Sequence, residues 1–294
     1  MLNAQTGRDL LMHGPIEKLK NGINNMTAAQ KKVADFILKN TFDTAFFTVD
    51  QLANAAGTST TTIMRLMTFL NYKGYMDFQR ALQEVLRNKV NPKTRLEVNL
   101  KDLDLSDLWG RCYDKQLNNI QNTFELIPQE TLDNVVAEIV SAPMIYITTA
   151  RGGIMVAQYM YSFLSRMFGN CQIIHADNLP VWSTIIPCLG PTDLVFAISF
   201  PRYANRLLQF VKLAHQAQAK VVMVTDSFTS PFAEYSDITL PCLCSSLGFH
   251  NSPLSAMMLV DCLINVASVR YASIIKPRLD IANDILSKSD YYIQ

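Results

Sequence analysis

Thr48 to Leu70 reads TVDQLANAAGTSTTTIMRLMTFL, and this stretch decides the amino-terminal fold. Leu52, Ala53 and Ala56 stand at i, i+1 and i+4, which predicts a short helix over Val49–Ala56. Gly57-Thr58-Ser59 follows. Gly57 permits a tight reversal, and Ser59 is a natural N-cap. Ile63, Leu66, Met67 and Leu70 then repeat at i, i+3, i+4 and i+7, the buried face of a helix from about Thr60 to Asn71. Two short helices about a three-residue turn containing glycine make a helix-turn-helix. Upstream, Val33, Phe36 and Ile37 recur at helical spacing after Thr27, another N-cap.

The outward face of the second helix carries Thr60, Thr61, Thr62, Met64, Arg65 and Thr68, with Thr48, Gln51 and Ser59 at the starts of the two helices. These groups offer hydroxyl, amide and guanidinium partners for phosphates and base edges, and none is acidic. Threonine is a poor helix former, so helix propensity does not explain four of them on this helix. Lys73, Arg80, Arg87 and Lys89 extend the basic surface. Residues 1–95 hold 13 Lys+Arg against 7 Asp+Glu, while 96–294 hold 13 against 18. A basic third joined to an acidic remainder points to a polyanion at one end. Double-stranded DNA is the expected partner.

Working outward, 294 residues accommodate about two domains. At 49% hydrophobic and 17% charged, with a formal net charge of +1, the chain is neither a disordered polyelectrolyte nor a fibrous rod. The longest apolar stretch, Leu254–Val269, is interrupted by Asp261 and Asn265, which argues against a membrane span. Met1 to Lys20 shows no secretory pattern, so the cytoplasm is the expected location. Six scattered cysteines and four histidines, with no two histidines at i, i+4, suggest neither a disulfide framework nor a metal site, and no cofactor is expected.

Polar, proline-containing Asn88–Ser106 is the expected linker, giving a helix-turn-helix domain over 12–89, a linker over 90–106 and a second domain over 107–294. Asp107–Ile127 and Gln129–Ala142 read as helices parted by Pro128. Strand-rich runs follow at Met144–Thr149, Cys171–His175, Asp193–Phe200, Lys220–Asp226 and Asp237–Leu240, with helical stretches between them. A long apolar helix is expected from Leu254 to Ile275, able to supply an oligomer interface for a homodimer or homotetramer. Continuous apolar runs such as Leu194–Ile198 indicate strands buried on both faces, hence a doubly wound parallel α/β sheet behind an all-helical amino-terminal domain.

Thr27–Ile37, Leu52–Ser59, Thr62–Leu66 and Tyr72-Lys73-Gly74-Tyr75 with Phe78 resemble the helix-turn-helix domain of the RpiR/MurR family of bacterial transcriptional regulators. Asn71 stands where that family usually has glycine, and asparagine tolerates the same left-handed geometry. The strand order over about 125–275 resembles the sugar isomerase (SIS) domain that this family carries next. The resemblance implies a regulator that binds a palindromic operator and senses a phosphosugar through the loops after the first and third strands. Those loops depart from the family here. Gly153 replaces a phosphate-contacting serine in Thr149-Ala150-Arg151-Gly152-Gly153, and Pro201, Arg202 and Ala204 replace a serine, a glycine and a threonine after Ser199. Two arginines appear instead, and guanidinium binds phosphate or carboxylate in bidentate fashion. The expected site for an anionic effector is Arg151, Gly152, Gly153, Ser199, Arg202 and Tyr203, with Thr225 and Ser227 nearby. The alternative is a sugar-phosphate isomerase using His250 or Glu234 as base, although neither lies in a motif that marks a catalyst.

Overall fold

The computed structural model describes residues 14–289 apart from Phe46, Val90, Asp102 and Asp104; the expected domain start at residue 12 lies outside them. The chain forms two compact units that divide between Lys101 and Asp102.

The first unit is helical: α1 Pro15–Gly22, α2 Ala28–Lys39, α3 Thr41–Thr44, α4 Val49–Ala56, α5 Thr60–Phe69, α6 Tyr75–Lys89 and α7 Pro92–Lys101. Local chemistry sets the boundaries. Thr27 and Thr48 each build a capping box with Gln30 and Gln51, so two amide donors are satisfied reciprocally at each helix start. Gly57 ends α4 at φ 59°, and Asn71 takes φ 60° just after α5, so both residues adopt the left-handed geometry expected of them. One core collects Leu19, Val33, Ile37, Leu52, Ile63, Leu66, Met67, Phe78 and Leu82, all sealed from solvent. Each such side chain contributes on the order of 1.5–3 kcal/mol. The segment read as a linker is helical over most of its length. Proline is compatible with a first helical turn, and Asn91 Oδ1 accepts the Thr94 amide at 3.0 Å to start α7.

The second unit opens with α8 Leu108–Leu126 and α9 Gln129–Ser141, then alternates strand and helix: β1 Ile145–Thr149, α10 Ile154–Met167, β2 Cys171–His175, α11 Leu179–Ile185, β3 Leu194–Ile198, α12 Asn205–Gln216, β4 Lys220–Thr225 and β5 Ile238–Pro241. All strands run parallel in the order β2-β1-β3-β4-β5. β1 and β3 are buried along their whole length, which explains their unbroken apolar runs. One face packs Ile147, Phe196, Val222 and Val224 against α9, α10 and α13 (Leu254–Arg270). The other packs Val195, Val221 and Met223 with Trp182 of α11 and Phe210 of α12.

The apolar helix expected to run unbroken from Leu254 to Ile275 stops at Arg270. After a 100° bend, α14 covers Ala272–Lys288. The bend has a packing reason: it returns Ile275 to the same core as Leu263 and Ile264, whereas a straight helix would carry it away at 1.5 Å per residue. α13 spends Leu259, Val260, Leu263, Ile264 and Ala267 on that core and keeps Met258 and Val269 exposed. Among the described residues, one open apolar face lies on α14, where Ile274, Ile281 and Ile285 are more than half exposed.

Candidate functional site

On the helical unit, Ile63, Leu66 and Met67 of α5 face the core, which turns Thr61, Met64, Arg65 and Thr68 outward and leaves Thr60 and Thr62 half-buried. Lys73 and Arg80 are exposed, whereas the side chains of Arg87 and Lys89 lie outside what the structure describes. Several hydroxyls proposed from sequence as nucleic-acid contacts already have local partners. Thr48 Oγ1 accepts the Gln51 amide at 3.2 Å, and Gln51 Oε1 accepts the Thr48 amide at 2.7 Å. Ser59 Oγ accepts the Thr62 amide at 3.3 Å, and Thr68 Oγ1 donates to the Met64 carbonyl at 3.1 Å. A capping side chain can still meet a phosphate with its remaining valence, but its first role is to position the helix.

Sequence reading missed the residues that brace this motif. Lys32 Nζ donates to the Gly57 carbonyl at 3.0 Å, placing a cation on the turn itself. The Tyr75 hydroxyl and Gln79 Nε2 both donate to the Phe47 carbonyl, at 2.9 and 2.7 Å, and hold the segment leading into α4. These partners lie 25 to 32 residues apart, a separation that no local periodicity reveals.

In the parallel-sheet unit the order β2-β1-β3-β4-β5 reverses direction between β1 and β3. Connections leave opposite faces of the sheet there, and sheets of this kind bind ligands in the crevice beyond the carboxyl ends of those two strands. Thr149 and Ile198 are register partners at the last position of each strand, and Thr149 Oγ1 donates to the Ile198 carbonyl at 3.1 Å. The two loops that follow carry the expected effector residues. Arg151 and Gly152 are exposed, Gly153 and Ser199 are buried, and Arg202 is exposed. Arg151 and Arg202 both adopt left-handed backbone, at φ 56° and 65°, which is unusual for arginine. Arg151 Nη1 donates to the Arg202 carbonyl at 3.2 Å, so the two loops touch.

Gly153 is glycine for a steric reason. A Cβ there would lie 2.9 Å from the Ile198 carbonyl and would also overlap Thr149 Oγ1. A serine at this position would need the loop to be rebuilt. Tyr203 is committed elsewhere: its hydroxyl donates to Asp226 Oδ1 at 2.6 Å, and its ring meets Phe232 edge-on. Burial, with Asp226 beside it, pushes the Tyr203 hydroxyl far above the usual tyrosine range, so it stays protonated. Thr225 is buried and donates to the same carboxylate at 3.2 Å, while half-buried Ser227 pairs with Thr229. The loops of Arg151 and Arg202 therefore meet beyond the carboxyl ends of β1 and β3, with Ser199 buried just after β3 and Tyr203 and Thr225 tied to Asp226.

The two proposed bases fare differently. His250 lies in the loop after β5. Glu234 lies in the turn Ala233–Tyr235, where Tyr235 packs on Lys212 and His215 of the last turn of α12. That turn precedes the amino end of β5, away from the carboxyl-end crevice, which corrects the expectation that Glu234 approaches the ligand.

Comparison with known proteins gives two family matches: "Helix-turn-helix domain, rpiR family" over residues 13–89 and "SIS domain" over residues 138–265. The chain carries an rpiR-family helix-turn-helix domain followed by a SIS domain. Two relatives named as uncharacterized HTH-type transcriptional regulators agree. One, from the aarA 3′ region of Providencia stuartii, is 22% identical over 76% of this chain and 78% of its own length. The other, from Haemophilus influenzae, is 23% identical over 76% of this chain and 78% of its own length. Among solved structures, the Vibrio vulnificus NanR protein complexed with ManNAc-6P shares the fold at a TM-score of 0.58, with 22% identity, covering 93% of this chain and 98% of that one. The sugar isomerase domain of an RpiR transcription factor from Sphaerobacter thermophilus also gives a TM-score of 0.58, with 20% identity over 61% of this chain and 99% of that one. Between the rpiR-family helix-turn-helix range and the SIS range lie α7 and α8.

Proposed function

We propose that this chain is an RpiR-family regulator that reads a palindromic operator through α5 and senses an anionic metabolite, a phosphorylated sugar or related acid, at the β1/β3 crevice. The observation that carries the reading is the pair Arg151 and Arg202, brought from loops 51 residues apart to one anion-accessible edge. Guanidinium forks suit a phosphate group, and the ManNAc-6P held by the NanR neighbour is a compound of that class. On α5, Arg65 and the Thr60–Thr62 hydroxyls contact bases and adjoining phosphates, with Lys73 and Arg80 on the backbone. The SIS unit acts as a sensor without catalysis, a reading supported by the helix-turn-helix domain that precedes it and by Glu234, which stands by the amino end of β5. Copies of the chain associate as a homodimer or homotetramer in the cytoplasm, using the open isoleucine face of α14 and giving the two-fold symmetry a palindrome requires.

The test is fluorescence anisotropy with operator DNA selected from genomic fragments, with and without ManNAc-6P and a panel of other sugar phosphates. Binding that weakens steeply with salt and shifts with one phosphorylated ligand is expected. The shift should vanish in Arg202→Ala while ligand-free DNA binding persists. Regulation by an uncharged ligand, undisturbed in Arg151→Ala and Arg202→Ala, overturns the effector reading. Turnover of any panel sugar well above the buffer rate overturns the non-catalytic one.

A further inference from the structure

We propose that the loop after β3 is a two-state backbone switch at Arg202, and that the segment 242–253 carries its state to α8. What flips the switch rests on the effector reading above; the route rests on the hydrogen bonds alone.

The switch is visible in the backbone. Arg202 stands at φ 65°, a conformation that a residue with a Cβ resists unless its surroundings hold it there. Two contacts hold it. Arg151 Nη1 donates to the Arg202 carbonyl at 3.2 Å, and Asn251 Nδ2 donates to the Pro201 carbonyl at 3.0 Å. The Arg151 guanidinium is exposed, so an arriving anion competes directly with the Arg202 carbonyl for the same donors. Once that bond is lost, one of the two restraints on the left-handed residue is gone. Relaxation of φ at Arg202 then turns the Pro201–Arg202 peptide, whose carbonyl is the one Asn251 grips.

From Asn251 the path is short. The Ser252 amide donates to the Cys244 carbonyl at 2.8 Å, closing 244–252 into a compact loop, so a pull at 251 is felt at its neck. At that neck Ser245 and Asn119 of α8 clasp each other: Asn119 Nδ2 donates to the Ser245 carbonyl at 2.7 Å, and Ser245 Oγ donates to Asn119 Oδ1 at 2.9 Å. The Leu243 amide donates to Thr123 Oγ1 at 2.9 Å, one turn further along the same face of α8. Asn119, Thr123 and Ser245 are all buried, so a shift of the loop exchanges paired polar groups for unpaired ones unless α8 follows. α8 is also the helix the chain enters directly after the helix-turn-helix unit. The segment is thus bonded at one end to the crevice and at the other to the helix leading back toward the DNA-binding part of the chain.

The test changes the backbone preference of residue 202 without needing a known effector. Arg202→Gly and Arg202→Val both delete the guanidinium, but glycine accepts the left-handed conformation whereas a β-branched residue rejects it. Hydrogen exchange of the full chain is read by mass spectrometry on peptides spanning Gln116–Thr123, with peptides of α2 and α5 as the internal reference for folding. The Val variant is expected to exchange at α8 roughly tenfold faster than the Gly variant, with the reference peptides equal. In an Asn251→Ala background the Val–Gly difference should disappear, and Ser245→Ala should shrink it. Equal α8 exchange in the Val and Gly variants overturns the switch. A difference that survives Asn251→Ala overturns the route. Calorimetry with inorganic phosphate and with ManNAc-6P is run alongside on the wild type: absence of binding there, with the Val–Gly difference intact, sinks the effector reading and leaves the switch standing.

Discussion

Gly153 and Gly152 are adjacent, yet space treats them differently. A Cβ on Gly153 meets the Ile198 carbonyl at 2.9 Å, while one on Gly152 meets nothing within 4 Å. Gly153→Ala is expected to destabilise the parallel-sheet unit by about 1–3 kcal/mol in thermal unfolding, the usual cost of overpacking, with Gly152→Ala close to neutral. Tyr75 makes a second residue-scale prediction. Burial lifts its hydroxyl to about 12 from the ordinary value near 10, and Tyr72 rises to about 12 through burial and the nearby Asp77. Because the folded state holds these protons more tightly, their contribution is complete below pH 10 and is lost as pH climbs from 10 to 12. Alkaline denaturation of the helical unit should therefore steepen across that window and flatten in Tyr75→Phe. At neutral pH the same variant should lose about 0.5–1.5 kcal/mol for the single proton that the hydroxyl shares between the Thr44 and Phe47 carbonyls. Neither effect was legible in sequence: Gly153 was noticed as a missing serine, but the carbonyl that forbids a Cβ comes from a strand 45 residues away.

At the scale of elements, helix starts were the best-read feature, because a cap is satisfied by residues two or three positions along. Thr27 and Ser59 cap α2 and α5 as their spacing predicts. Ser59→Ala is expected to cost about 1 kcal/mol in the chemical denaturation of the helical unit, and to weaken DNA binding mainly by fraying α5. Thr61→Ala, which removes no described cap, should leave stability nearly unchanged while lowering operator affinity. Measuring both quantities for both variants separates capping from contact. Elements whose form depends on distant packing were read less well. Polarity and a proline made 90–106 look like a linker, yet proline at a helix start is no obstacle and α7 forms. Apolar continuity from Leu254 to Ile275 hid the bend at Tyr271, since a helix that turns back into the core and one that runs on have the same composition.

For the whole molecule, DNA binding should follow the logarithm of salt concentration linearly. Lys73→Ala should reduce the slope by about one phosphate contact, whereas Arg65→Ala should cost about 1–3 kcal/mol of discrimination between operator and competitor DNA. Ile281→Glu with Ile285→Glu should lower the mass measured by sedimentation equilibrium, and a mass unchanged by that pair would move the association surface off α14. The division of information follows from the range of the forces. Local periodicity, caps and turn chemistry act within about one or two helical turns, and so the sequence by itself determined the helix-turn-helix, the exposed face of α5, the five strands and the parallel α/β class. Only the tertiary structure decided that Arg151 and Arg202 meet in strained backbone, that Tyr203 is tied to Asp226, that Glu234 stands at the far edge of the sheet, and that Asn119 clasps Ser245. Those contacts join residues from 23 to 126 positions apart, and their geometry is set by strand order and core packing, which no local pattern records.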